Sequence, residues 1–165
     1  MTVVADNGLY SADLPSNLTR SFDMHDYASL QYYNLQEGFY VLGLEDDKEN
    51  LGEIKRKRLK LPGYYRFVES TVFEHTDSTA RVSSEVFTNA YGFPARVGDY
   101  FVVEMQQVDF PLFYRIAVYE NDDYFFQLVI WMPYDAHCDR MAWIDTITQS
   151  FRFLDGVERP VAGVR

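Results

Sequence analysis

Apolar residues recur along this chain at two spacings, at alternate positions over most of its length and at helical intervals in two stretches. The runs SLQYYNL (Ser29 to Leu35) and FYVLGLE (Phe39 to Glu45) are aromatic and β-favouring, and the short QEG between them predicts a hairpin turning near Gly38. Ahead of them, GLYSADLP reads as a short strand closed by Pro15, and the charged EDDKENLGEIKRKRLK after them reads as surface. From Pro62 to His75 the period changes. Leu61, Tyr65, Val68 and Val72 fall at helical spacing, and Pro62 suits a first turn, so a helix is expected there.

Beyond HTDSTA the alternation returns in VSSEVFTNAYG, in DYFVVEMQQV from Asp99, in LFYRIAVYE from Leu112 and in YFFQLVIWM from Tyr124. Asn121 to Asp123 joins the last two as a tight turn, because Asn and Asp tolerate the left-handed backbone such turns need. The expectation is an antiparallel meander. Within LFYRIAVYE, Phe113, Arg115, Ala117 and Tyr119 share one face and Tyr114, Ile116, Val118 and Glu120 the other. Neither face is purely polar, which predicts cover on both sides. PYDAHCDRMAWIDTITQSF is the clearest helix, with Asp135 as N-cap and Ala136, Trp143, Ile144, Ile147 and Phe151 on one side. Arg140 falls inside that stripe, where an arginine snorkels or pairs with a carboxylate.

Length and composition narrow the class. At 165 residues a single domain is expected, its core over about 8–154 and residues 155–165 a flexible tail. Thirteen Tyr and 13 Phe favour a sheet-rich globule. The single Cys138 excludes an internal disulfide and any multi-cysteine zinc site. With 25 acidic against 15 basic residues, general nucleic-acid binding is disfavoured. No stretch has the length and apolarity of a membrane span, and the N-terminus lacks a signal-peptide pattern; the reading is cytoplasmic if Met1 is the native start and secreted if a leader has been removed. Asn17 opens an NLT sequon, which matters only in a glycosylating pathway.

Candidate chemistry is sparse. The P-loop, the dinucleotide fingerprint, the Gly-x-Ser-x-Gly elbow and the His-Glu-x-x-His helix are absent, so no catalytic residue, metal or cofactor is assigned. Of His25, His75 and His137, only the last adjoins the cysteine. Successive helical residues point about 100° apart, a poor arrangement for chelation. The candidate interaction loop comprises Glu45, Asp46 and Asp47 followed by Lys55, Arg56, Lys57, Arg58 and Lys60. A solvated loop is the first reading of the basic run, a docking site for an acidic protein partner the second, and nucleic acid the third. Tyr91, Tyr100, Tyr114 and Trp131 are candidates to line an aromatic pocket, although aromatics at strand spacing more often form plain core.

The order of elements, with GFPA at Gly92 to Ala95 and the helix running into Ser150-Phe151, resembles the Mog1/PsbP-like family over roughly Gly8 to Leu154. The resemblance implies an α+β fold in which helices flank an antiparallel sheet as an α/β/α sandwich. An NTF2-like cone is the second fold, although it places its helices before the long strands. The family is mostly non-enzymatic: one branch binds a Ran-type GTPase, another is an extrinsic subunit of photosystem II, and many bacterial members are secreted or lipid-anchored. No site residue carries over. The function expected is a non-catalytic binding or accessory module acting through protein contacts, the alternative being a small-molecule carrier or cryptic hydrolase with an aromatic-lined pocket. The oligomeric state is left open.

Overall fold

The computed structural model describes residues 1–51, 59–74, 76–88, 91–105 and 108–154. Its elements in chain order are β1 (Thr2–Val4), β2 (Tyr10–Asp13), β3 (Thr19–Arg20), β4 (Leu30–Asn34), β5 (Phe39–Asp47), α1 (Leu61–Val72), β6 (Thr76–Thr88), β7 (Pro94–Met105), β8 (Leu112–Glu120), β9 (Tyr124–Pro133), a 3-10 turn (Tyr134–Ala136), α2 (His137–Ser150) and β10 (Arg152–Phe153). Seven strands form one sheet in the order β3-β4-β5-β9-β8-β7-β6, and β1-β2-β10 form a small second sheet. Every pairing is antiparallel.

Alternation on the central strands decides the layering. Every residue of β8 except Glu120 is buried, as two apolar faces on one strand require. Leu112, Tyr114, Ile116 and Val118 pack with Leu61, Tyr64, Tyr65 and Val68 of α1. Phe113, Ala117 and Tyr119 pack on the opposite face with Ile144 and Ile147 of α2 and with Tyr10 and Ala12 of the small sheet. The result is a helix on one face and a helix with a three-stranded ribbon on the other, the α+β sandwich.

The hairpin turns as expected, with Gly38 at φ +61 and its backbone against the Pro133 ring. Asn121 Oδ1 accepts from the backbone N–H of Asp123 and Tyr124 at 3.0 and 2.8 Å, closing the β8–β9 turn. Arg140 does what a charge inside an apolar stripe must do. Its guanidinium donates to Glu37 at 2.5 Å and lies 4.6 Å from the Trp143 ring centroid.

Other expectations shift. Asp135 is not the N-cap of α2; it lies inside the 3-10 turn, and the cap position falls to Ala136 with no side-chain hydrogen bond. β6 already starts at Thr76 within HTDSTA, and β7 starts at Pro94, straight out of the GFPA turn. β1 precedes the span of the resemblance, pairs with β2 and brings Val3 and Ala5 into the core.

A buried cation ties α2 to the sheet. Arg115 donates to both carboxylate oxygens of Asp99 at 2.7 and 2.9 Å and to Asp145 at 2.6 Å. Burial works against this charge, but the hydrogen bonds and charges of Asp99 and then Asp145 outweigh it and raise its pKa above the usual arginine value.

Candidate binding surface

Register, rather than sequence proximity, assembles the aromatic surface. Tyr33 stands directly opposite Tyr40, Tyr40 opposite Trp131, Trp131 opposite Tyr114, and Tyr114 opposite Tyr100. Cross-strand partners share a face, so the five side chains form one row across β4, β5, β9, β8 and β7. The Trp131 indole stacks on Tyr40 at 5.1 Å between centroids and on Tyr114 at 5.9 Å, with interplanar angles of 8° and 12°. Both faces of the indole are therefore covered, and only its edge is presented outward.

α1 crosses this sheet face obliquely. Tyr64 near its start stacks on Phe125 of β9 at 4.4 Å, and Phe73 just past its end lies 4.7 Å from Tyr100 and 5.4 Å from Tyr114. The crossing covers the β7–β8 end of the row and leaves the β4–β5–β9 end open. Over that open corner lies a hollow of about 310 Å³ floored by Tyr40, Leu112 and Trp131 and walled by Leu35, Gly38, Val108, Phe110 and Pro133. A second hollow of about 210 Å³, lined by Ser21, Asp23, Met24, Tyr33, Leu35 and Tyr40, shares Leu35 and Tyr40 with it. Leu35 and Phe110 stand at its margin with 71% and 51% of their surface exposed, well above what isolated core-forming side chains leave in water.

The four pocket candidates from the sequence separate. Tyr114 and Trp131 stack together, Tyr100 continues their row, and Tyr100 and Tyr114 are buried beneath α1 as core. Burial pushes both phenols far above the ordinary tyrosine pKa; for Tyr100, hydrogen bonds with Glu69 and Tyr65 add to the shift. Tyr91 is elsewhere, beside Arg152, whose guanidinium lies 5.2 Å from its ring centroid. Tyr33, Tyr40, Leu35 and Phe110 were not singled out in the sequence, because pairing between distant strands brings them together.

The interaction-loop residues are differently placed. Glu45 lies in β5 and accepts from Ser29 Oγ at 2.5 Å; burial raises its carboxyl pKa despite the hydrogen bond from Ser29. Asp46 accepts from the Tyr64 hydroxyl at 2.6 Å, and Asp47 accepts from the Glu49 N–H at 2.8 Å. Lys60 is exposed at the start of α1. Lys55, Arg56, Lys57 and Arg58 lie outside the described residues. His137 hydrogen-bonds the Tyr134 carbonyl through Nδ1, its Nε2 lies 3.5 Å from Sγ of the exposed Cys138, and its ring stacks on Phe113 at 4.7 Å. Among the described residues no three His, Cys, Asp or Glu side chains are grouped to hold a metal ion, and no helix is long and apolar enough to cross a membrane.

No protein-family model matches the sequence, and no curated protein does. Solved structures do match. PsbP of the cyanobacterium Synechocystis is 12% identical with a TM-score of 0.65, covering 93% of this chain and 92% of its own. The Ran-binding protein Mog1p of Saccharomyces cerevisiae is 9% identical with a TM-score of 0.63, covering 94% and 95%. The chain has the Mog1/PsbP-like fold. LpqN of Mycobacterium tuberculosis, a protein involved in cell envelope biogenesis, shares it at 8% identity and a TM-score of 0.64, covering 93% and 89%. At such identities the likeness extends to the α+β framework and not to individual side chains, so the open corner is read from this chain alone.

Proposed function

We propose that this protein is a non-catalytic binding module that holds a protein partner against the open corner of its sheet. One observation carries the reading: α1 stops short of Tyr33, Tyr40 and Trp131, and the exposed Leu35 and Phe110 frame the resulting hollow. Exposed large apolar side chains around a concave aromatic floor have the composition of an interface centre, where buried aromatic anchors contribute most of the affinity. The fold supports the reading in kind, since Mog1p is named for binding Ran. The basic run Lys55 to Lys60 is proposed as a second, electrostatic contact, because Glu45 and Asp46 already make hydrogen bonds within the fold.

The test compares partner capture by the wild type and by Leu35→Ser/Phe110→Ser, with circular dichroism confirming that both are folded. A specific partner that the double variant loses, and that slows hydrogen exchange at 33–40 and 108–112 in the wild type, is the expected result. Undiminished capture by the double variant refutes the site. Charge reversal at Lys55, Arg56, Lys57 and Arg58 tests the second contact separately, since loss of capture in that variant alone assigns the partner to the basic run.

A further inference from the structure

The open corner has a charge as well as a shape. Asp23 lines the smaller hollow and Asp109 sits between Val108 and Phe110 of the larger one, both exposed. None of the residues lining either hollow is basic, and no Lys or Arg occurs between Ser21 and Asp47 or between Val108 and Tyr114. Glu37, on the same turn as Leu35, is held by Arg140, so its charge is already met. An apolar hollow with carboxylates at its margin, neither of them ion-paired to a Lys or Arg among the described residues, disfavours a fatty acid or another anionic amphiphile. It suits a chain that carries an apolar side chain between cations.

The floor adds a directional feature. Because Tyr40 and Tyr114 stack on the Trp131 indole, an edge of the ring is what lines the hollow, and the indole carries one N–H. Among the described residues neither that N–H nor the hydroxyls of Tyr33 and Tyr40 has a hydrogen-bond partner. Trp131 and Tyr40 of the larger hollow and Tyr33 of the adjoining one thus each carry a donor of the kind that pairs with the carbonyl oxygens of a peptide backbone.

We propose that the corner recognises a basic peptide segment of a partner protein, inserting one bulky apolar side chain into the hollow over Trp131 while flanking Lys or Arg residues meet Asp23 and Asp109. The inference rests on the open corner being the binding site and specifies what enters it. A hollow of about 310 Å³ accommodates a single Leu, Phe or Trp side chain with the adjoining backbone and is too small for a helix. Steering by an acidic margin makes the association salt-dependent.

The test is selection of random peptides displayed on phage against the wild-type protein, counter-selected on Leu35→Ser/Phe110→Ser, followed by titration of the enriched synthetic peptides. Trp131 fluorescence, in a Trp143→Phe background, reports occupancy. Enrichment of Phe, Leu or Trp flanked by Lys or Arg is expected. Binding should weaken at least about tenfold in Asp23→Lys/Asp109→Lys, and again on raising the salt. Enriched peptides without basic residues, or binding indifferent to the aspartate reversals but lost in Leu35→Ser/Phe110→Ser, overturn the proposed occupant and leave the corner as a site. Decanoate binding that the same double variant abolishes, with no peptide enriched, also overturns it in favour of a small apolar ligand. If peptides are enriched only when the counter-selection is omitted, and these bind wild type and Leu35→Ser/Phe110→Ser equally, both this inference and the corner as the binding surface are overturned.

Discussion

Replacing Gly98 with alanine tests the packing of α1 on the sheet more sharply than any truncation. A methyl group built at Gly98 overlaps the hydroxyl of Tyr65 and lies 2.9 Å from that of Tyr100. The two hydroxyls hydrogen-bond to each other, and Tyr100 donates onward to Glu69. Gly98 does not have a positive φ, so the penalty is steric and not one of backbone conformation. Overpacking a close-packed core costs about 1–3 kcal/mol. Displacing a buried hydroxyl from its partner adds about 1–3 kcal/mol. Gly98→Ala should therefore lose about 2–6 kcal/mol, or roughly 6–18 °C of melting temperature for a chain of this size.

The discriminating measurement is the double-mutant cycle with Tyr65→Phe. Removing the Tyr65 hydroxyl leaves Tyr100 its donation to Glu69, so the single change costs only about 1 kcal/mol. In Tyr65→Phe/Gly98→Ala the overlap is removed and only the 2.9 Å approach to the Tyr100 hydroxyl is left to relax by a small shift, while alanine gains up to about 1 kcal/mol over glycine within a strand. The double variant should be as stable as Tyr65→Phe alone, a coupling of about 2 kcal/mol or more in urea unfolding followed by circular dichroism. Additive losses, or a Gly98→Ala cost below about 0.5 kcal/mol, would refute the argument that glycine is required here by the tyrosine hydroxyl.

Further outcomes follow from the buried charges. Asp99→Ala should cost about 3 kcal/mol by leaving the Arg115 cation with only the exposed Asp145, whereas Arg115→Met/Asp99→Leu should lie within about 1–2 kcal/mol of wild type; chemical denaturation measures both. Glu45 has a folded-state pKa above its unfolded one, so the folded state binds the proton more tightly. Its contribution is most favourable below the ordinary carboxylate pKa and is lost as pH rises through the elevated folded value. Glu45→Gln should thus remove a downward slope of stability with pH just above the ordinary carboxylate range, measured as the difference between wild type and variant.

The strands whose alternation is longest were the most legible. β8 carries two apolar faces over nine residues, and from that alone the cover on both sides follows. Arg140 was equally readable, because a charge inside an apolar helix stripe needs a counter-charge, here Glu37. β1 and β3, with three and two residues, are too short to show a period, and their pairing comes from the neighbouring strands. The start of α2 escaped because a 3-10 turn needs no side-chain cap, so Asp135 offered a signal that the backbone does not use. The candidate site was half visible. Trp131 and Tyr114 stand out as strand aromatics, but their placement in one row with Tyr33 and Tyr40 is a property of register, and no single segment encodes it.

The two-residue strand β10 has a consequence for how the chain is made. It pairs Arg152 with Ser11 and Phe153 with Tyr10, and Tyr10 also rests on Phe151 at 5.3 Å and on Phe126 at 5.2 Å. On the ribosome, then, the first ribbon emerges with nothing to lie on. At about 5–20 residues per second, Tyr10 waits on the order of ten seconds for its last neighbours to clear the exit tunnel. A nascent chain halted after Ile147 would contain every strand of the larger sheet and still lack Phe151, which fills the space between Tyr10 and Tyr119. Folding of this protein is in that sense closed by a latch that is synthesised after every strand of the larger sheet.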